Sequence, residues 1–218
     1  MTHEALIAAI QAGDTPQAVE LLDATPSLAE ARAESGVSLL LMAIYYGQPE
    51  IAQEIAARRV QIDVFEAAAL GDDVRVRDLL ADQPEQLDAA SDDGFTPLGL
   101  AAFFGHEDVA DLLLGLGASP DIASRNEQRV APLHSAAAGQ HLAIAQLLID
   151  RGADVNVRQQ GGFTPLHAAA QNGQVALIEL LLDHGADPHA TTDAGKTPLD
   201  LASESGATAA EQRLSSTQ

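Results

Sequence analysis

Cysteine is absent from the 218-residue sequence, which excludes disulfide bonds, thiolate metal sites and cysteine nucleophiles. A chain of this length buries a sizeable core and needs no such cross-link to fold. No apolar run approaches the roughly 18 to 20 residues of a membrane-spanning helix. Residues 1–4 place no basic region ahead of the first apolar stretch, so we expect no secretory signal and a soluble, cytoplasmic protein.

Basic residues are scarce: 11 Lys and Arg stand against 32 Asp and Glu, a formal net charge of −21, and Lys196 is the only lysine. Nucleic-acid binding needs a basic surface that displaces counterions from phosphates, and an anionic membrane repels so acidic a chain. We therefore expect neither ligand. The acidity either steers a basic partner toward the chain or only keeps it in solution. The preference for Arg over Lys favours a bacterial source with a GC-rich genome.

A short motif of the Thr-Pro-Leu-His type recurs in the second half of the chain. Its copies begin at Thr96, Ala131, Thr164 and Thr197, at spacings of 35, 33 and 33 residues. Each copy is followed by small residues, a break and a second apolar stretch, and three of those stretches end in Gly-Ala-Asp or Gly-Ala-Ser. Such a period indicates stacked repeats, each of which buries its apolar side against its neighbours.

The motif contains the residue types that begin a helix. A Thr hydroxyl accepts a hydrogen bond from the first backbone N–H groups, and the following Pro stands where a missing N–H does no harm. Ala131 replaces Thr in one copy, a local loss of about 1 kcal/mol. We expect such structural roles for Thr96, Pro97, Pro132, Thr164, Pro165, Thr197 and Pro198.

On these motifs the chain resembles the ankyrin repeat family, most clearly from about residue 91 onward. The resemblance implies an all-α solenoid of about seven helix-pair units, with short β-hairpin fingers between most units. It also implies that fingers and first helices line a concave face that holds another protein, and that His134 and His167 hydrogen-bond finger and helix. The resemblance gives a mode of binding and no partner identity.

The N-terminal half keeps the period in degenerate form. Glycines between paired helices, with Gln140 at the equivalent place in the fifth unit, divide the chain into one solenoid. Its predicted units are about 1–35 (N-cap), 36–60, 61–90, 91–124, 125–158, 159–191 and 192–218 (C-cap). Residues 1–58 and 59–116 also look like copies of each other. Gly47 and Gly71 are only 24 residues apart, too few for a finger, so we expect a notch in the binding face there.

Six of the seven aromatic residues fall at positions that the resemblance places toward the concave face. We predict that these residues bind the partner: Tyr45, Tyr46, Phe95, Phe103, Phe104 and Phe163. Exposed aromatic side chains supply much of the energy of protein binding. Asp92 and Asp93 stand near Phe95 on the same predicted finger and would give the patch an anionic rim. The alternative is that one ring of each pair packs against the neighbouring unit and never meets a ligand.

Two later fingers carry arginines: Arg125 and Arg129 lie on one, and Arg158 lies on the next. In so acidic a chain they would form a positive stripe suited to a carboxylate of a partner. The alternative is that they are solvated loop tips.

The sequence contains no catalytic pattern, because it has neither a recognisable Ser/His/Asp set nor a phosphate-binding glycine loop. Gly185 and Pro188 lie between His184 and His189, so these imidazoles do not share a helix face as metal ligands do. We expect no enzyme, cofactor or metal, but a monomeric, non-catalytic protein–protein interaction module or scaffold, with self-association possible. The alternatives are a regulatory inhibitor or immunity-type protein that masks a basic partner, and a homo-oligomeric structural protein.

Overall fold

The computed structural model describes residues 2–217, which form fourteen α-helices, three short 3-10 helices and no β-strand. The odd-numbered helices are Thr2–Ala12 (α1), Leu39–Tyr45 (α3), Val64–Leu70 (α5), Pro97–Phe104 (α7), Pro132–Gly139 (α9), Pro165–Gln171 (α11) and Pro198–Glu204 (α13). The even-numbered helices are Thr15–Ala24 (α2), Pro49–Arg58 (α4), Asp73–Asp82 (α6), Glu107–Gly115 (α8), Leu142–Asp150 (α10), Val175–Asp183 (α12) and Thr208–Ser215 (α14). The 3-10 helices are Pro26–Glu30, Pro84–Gln86 and Gln160–Gly162.

The helices form two rows. Each odd-numbered helix packs against the even-numbered helix that follows it and against the next odd-numbered helix, from α1 to α13. The even-numbered helices pack on one another in the same way, except that α4 and α6 lack close packing within residues 2–217. One hydrophobic core of Ala, Leu, Ile and Val side chains runs along the whole stack, from Leu6 to Leu214. The predicted all-α repeat architecture is therefore present.

The predicted threonine caps begin three of the odd-numbered helices. Thr96 Oγ1 accepts from the N–H of Gly99 at 3.0 Å. Thr197 and Asp200 form a reciprocal capping box at the start of α13, and Thr164 forms one with His167 at the start of α11. The hydroxyls of Thr96 and Thr197 each satisfy a backbone donor that the helix itself leaves unpaired, whereas at α11 the N–H of Thr164 donates to Nδ1 of His167 at 3.1 Å.

The connections between helix pairs are tight turns, and none of the expected β-hairpin fingers contains a strand within residues 2–217. In four turns the N–H of the first residue donates to the carbonyl oxygen four residues on, and the N–H of the fourth residue donates to the carbonyl oxygen of the first, in segments 33–37, 91–95, 159–163 and 192–196. Beside the first of these turns, an isolated antiparallel bridge joins Arg32 and Ser38. Successive turns also bond to each other, as when the N–H of Asp193 donates to the carbonyl of Gly161 at 2.8 Å.

The imidazoles of the repeated motif join neighbouring repeats. His134 Nε2 donates to the carbonyl oxygen of Phe163, and His167 Nε2 donates to that of Lys196, both at 3.1 Å. The other ring nitrogens differ. Nδ1 of His167 is 2.9 Å from the hydroxyl oxygen of Thr164, whereas buried Nδ1 of His134 has no partner within residues 2–217. The reason is Ala131, which stands where a threonine hydroxyl would reach that nitrogen.

Restoring the hydroxyl should stabilise the protein. Ala131→Thr is expected to raise the free energy of unfolding by about 1 kcal/mol, because it caps α9 and gives Nδ1 of His134 a partner. Urea denaturation measures the change. Ala131→Val is the control, since it adds the same volume without the hydroxyl. An equal gain from Val would show that packing, and not capping, is the cause.

His134 should make stability depend on pH. Burial lowers its pKa from 6.5 to about 4, so the unfolded chain takes up the proton first as the pH falls. The free energy of unfolding is therefore at its full value above about pH 6.5 and falls as the pH drops toward about 4. Between about pH 7 and about pH 4 the wild type should lose about 3 kcal/mol more than His134→Gln, measured by urea denaturation at each pH. Parallel pH curves for the two proteins would contradict this assignment.

Candidate functional site

Three aromatic rings from two non-adjacent helices meet on the surface of the odd-numbered row. The ring centroids of Tyr45, on α3, and Phe104, on α7, are 5.4 Å apart. Phe103 packs edge-on against Phe104 at 5.1 Å. Phe104 and Phe95 also pack on a small buried cluster of Leu41, Ala69 and Leu100. We call Tyr45, Phe95, Phe103 and Phe104 the aromatic platform.

The platform is open to solvent. Tyr45 and Phe103 are 37% and 39% exposed, and Phe95 and Phe104 are half-buried. These rings therefore pack on neighbouring helices and also face solvent. Offset and edge-on ring contacts add to stability beyond the area they bury, so they hold the rings in place before any ligand arrives.

The carboxylates of the predicted anionic rim, Asp92 and Asp93, accept hydrogen bonds from other side chains of this chain. The hydroxyl of Tyr45 donates to Asp93 Oδ2 at 2.6 Å, and Ser91 Oγ donates to the other carboxylate oxygen. Asp92 accepts from Arg32 Nη1 at 2.6 Å. Burial, assisted by the bond to Asp93, raises the pKa of Tyr45 far above its ordinary value, so the phenol keeps its proton. Asp93 therefore fixes Tyr45 at the platform edge, whereas Asp92 is paired with Arg32.

The remaining aromatic candidates lie apart from the platform. The hydroxyl of Tyr46 is 3.3 Å from Gln11 Nε2 of the preceding helix pair, and this ring is 48% exposed. Phe163 is half-buried and packs edge-on against His167 at 5.8 Å between centroids. The structure thus brings together four of the six predicted rings.

A buried ion pair occupies the position of the missing finger, where residues 59–63 alone connect α4 to α5. Arg59 Nη1 lies 2.6 Å from Glu66 Oε1, and their side chains are 6% and 0% exposed. Glu30 approaches the same guanidinium at 3.3 Å. Burial raises the pKa of Glu66, as does nearby Asp63, whereas the charge of Arg59 opposes the rise.

The predicted notch corresponds to a cavity of about 260 Å³ between the turns at 33–37 and 91–95. Arg32 bridges it, because its guanidinium lies 2.6 Å from Asp92 and 3.7 Å from Asp63. On the other row, a groove of about 480 Å³ lies where α4 and α6 separate. The short connection thus opens both rows of the stack at the same level.

The three candidate arginines have different surroundings. Arg158 donates to the carbonyl oxygen of Thr191 at 2.8 Å and lies 4.0 Å from Asp193, so it is tied to the next turn. Arg125 and Arg129 are exposed, and within residues 2–217 their guanidinium groups have no ion pair or hydrogen bond. The predicted positive stripe therefore reduces to one turn.

The family model for ankyrin repeats (3 copies) matches residues 64–159 and 133–215, together more than half of the chain. The chain belongs to the ankyrin repeat family. Ankyrin repeats are generally protein–protein interaction modules and typically non-enzymatic. Alpha-latrocrustotoxin-Lt1a of Latrodectus tredecimguttatus is 37% identical over 65 residues, which are 30% of this chain. That match spans only 4% of the toxin's own length.

Within residues 2–217 of this ankyrin protein, no group of three or more His, Asp and Glu side chains is arranged to hold a metal ion. His184 Nδ1 instead donates to the carbonyl oxygen of Leu180 in its own helix at 2.8 Å. No helix in that part of the chain is long and apolar enough to span a membrane.

Sequence reasoning missed Arg59 and Glu66, although a signal was present. Asp63 and Glu66 have the spacing of a capping box, and Glu66 stands where the ankyrin motif has His134 or His167. A carboxylate buried at the position of an imidazole is unfavourable unless a cation pairs with it, and Arg59 is the basic residue closest before Glu66 in sequence. The bridge from Arg32 to Asp92 had no such signal, because it joins residues 60 positions apart.

Breaking the buried pair should destabilise the protein. Arg59→Met is expected to lower the free energy of unfolding by roughly 3–5 kcal/mol, because it leaves Glu66 buried without its cation. Urea denaturation measures the loss, and Arg59→Met/Glu66→Leu should recover most of it. Arg75→Met is the control, since Arg75 pairs with Asp72 in solvent and should have little effect. Equal effects of the two single substitutions would exclude the proposed role of Arg59.

Proposed function

We propose that this chain is a non-catalytic binding module that holds a partner protein on its row of odd-numbered helices and turns. The observation that carries the proposal is the aromatic platform, because four rings stay exposed or half-buried on one surface of a chain with only seven aromatic residues. Exposed aromatic clusters on soluble proteins commonly mark interaction sites, and aromatic residues dominate binding hot spots. Family membership supports the same class of function.

The fourteen helices are proposed to form seven ankyrin units with the bounds predicted from the sequence, the first and last serving as caps. The sequential pairing of the helices supports this division. Each unit is fixed by its neighbours, so the platform is formed before binding. Little ordering entropy is then lost on association, which favours affinity.

A regulatory role is the second candidate, in which the chain covers a basic partner. The net charge of −21 supports it, because a strongly acidic surface accelerates encounter with a basic protein. Salt distinguishes the two modes of binding. A complex held mainly by charge weakens steeply as salt screens the attraction, whereas one anchored by aromatic rings weakens little.

A peptide library tests the platform without knowledge of the partner. Random peptides of about twelve residues displayed on phage are selected on the wild-type protein, and the affinity of each selected peptide is then measured. Tyr45→Ala and Phe103→Ala are each expected to weaken binding at least about tenfold, because each removes part of a binding hot spot. Circular dichroism and urea denaturation establish that the variants remain folded.

The control replaces exposed apolar residues elsewhere. Val60 and Leu142 are 89% and 42% exposed and lie outside the platform, so Val60→Ala/Leu142→Ala should leave affinity unchanged. Equal losses in control and platform variants would contradict the proposed site. A dimer seen by light scattering and abolished by Phe103→Ala would assign the platform to a second copy of the chain.

A further inference from the structure

One turn differs from the other four in length. The N–H of Ser124 donates to the carbonyl oxygen of Val130 at 2.9 Å, so this turn closes over two more residues than the turns at 33–37, 91–95, 159–163 and 192–196. The insertion accounts for the spacing of 35 instead of 33 residues between the helix-start motifs on either side. Arg125 and Arg129 lie within this longer turn, which we call the 124–130 turn.

Arg129 has a backbone conformation that favours glycine. Its φ is +52°, and it immediately precedes the last residue of its turn. The other four turns have glycine with positive φ at that position, namely Gly36, Gly94, Gly162 and Gly195. A residue with a Cβ atom is less stable than glycine in the left-handed region. Stability alone would therefore favour glycine at residue 129.

The charges of the 124–130 turn are also exceptional. Nine of the eleven basic side chains have a carboxylate oxygen within 4.0 Å in the described residues 2–217. The two that lack one are Arg125 and Arg129, both exposed. Glu127 stands between them in the sequence of the turn, yet within residues 2–217 neither guanidinium has a carboxylate oxygen within 4.0 Å.

The 124–130 turn is held rigidly between its neighbours. The N–H of Arg125 donates to the carbonyl oxygen of Gly94 at 2.8 Å, and Asn126 Nδ2 donates to that of Asp93 at 2.9 Å. On the other side, the N–H of Gln160 donates to the carbonyl oxygen of Gln128 at 2.9 Å. The backbone that carries the two arginines is thus fixed beside Asp93, the residue that accepts from Tyr45 of the platform.

We propose that Arg125 and Arg129 bind a carboxylate side chain, Asp or Glu, of the same partner protein that lies on the aromatic platform. The proposal rests on the proposed function and adds the chemistry of the partner. Guanidinium groups match carboxylates with paired N–H donors. A long polyanion such as nucleic acid fits poorly, because the surrounding surface is acidic and would repel the rest of it. A partner carboxylate that is bound by these two arginines, and repelled by the acidic surface around them, fixes how the partner lies along the platform.

Matched peptides test the proposal. The probe is an array of synthetic peptides of about twelve residues with one aromatic residue, made in pairs that differ only by Glu or Gln. Wild-type protein should bind the Glu member at least about tenfold more tightly, and the preference should shrink at higher salt. In Arg125→Gln/Arg129→Gln the two members should bind equally. Arg75→Gln/Arg77→Gln is the control, because these exposed arginines pair with Asp72 and Asp73 and should not affect the preference.

Arg129→Gly separates binding from folding. It should leave the melting temperature unchanged or higher, because glycine suits the positive φ, and should still weaken binding of the Glu peptide several-fold. Gln140→Gly is the stability control, since Gln140 also has a positive φ, of +64°. It should leave the Glu preference intact.

The outcomes distinguish the two proposals. Peptide binding that needs Phe103 but shows no Glu preference would overturn the arginine site and leave the platform standing. A Glu preference that needs Arg125 and Arg129 but survives Phe103→Ala would support the arginine site and contradict the platform. Absence of binding to every peptide would contradict both.

Discussion

The whole structure depends on the burial of apolar surface between neighbouring helix pairs. Helices of seven to eleven residues, the range found here, have little stability alone, and one pair leaves an apolar side open to water. The Ala and Leu side chains of each pair are buried only when the next pair covers them. The imidazoles of His134 and His167 reinforce the same junctions, because each reaches a backbone carbonyl of the following repeat. Local and neighbour contacts therefore account for the stack, with no long-range closure.

The break in the period at residues 59–63 shows what this dependence requires. Without a finger, the turns at 33–37 and 91–95 have no turn between them, and α4 loses close packing with α6. Polar contacts replace the contacts of the absent turn, since Arg59 is buried against Glu66 and Arg32 forms an ion pair with Asp92. At the same level, Tyr45 of α3 reaches Phe104 of α7 across α5. The aromatic platform thus lies at the same level as the short connection.

The repeated parts of the fold could be predicted from the sequence, and its exceptions could not. Thr96, Thr164 and Thr197 mark helix starts by a local rule that needs no tertiary information, and the structure has helices at those places. The candidate rings were also found from their positions in the repeat. Their grouping was not predictable, because the contact of Tyr45 with Phe104 depends on how α5 is spaced between them. The expectation of β-hairpins came from the family and not from the residues, and the isolated pairing found within residues 2–217 is one bridge, between Arg32 and Ser38.

Ala131 and Arg129 depart from what stability alone would select, and they differ in kind. Ala131 removes a cap and leaves a buried imidazole nitrogen without a partner, yet it places no group on the surface that a ligand would meet. Arg129 occupies a left-handed position and presents an unpaired charge on the row that carries the platform. The strained backbone of this exposed, charged residue is an observation from which the proposed arginine site is argued. Under that proposal, Ala131 is a local defect that the stack tolerates, whereas at Arg129 recognition of a ligand would account for the loss of stability.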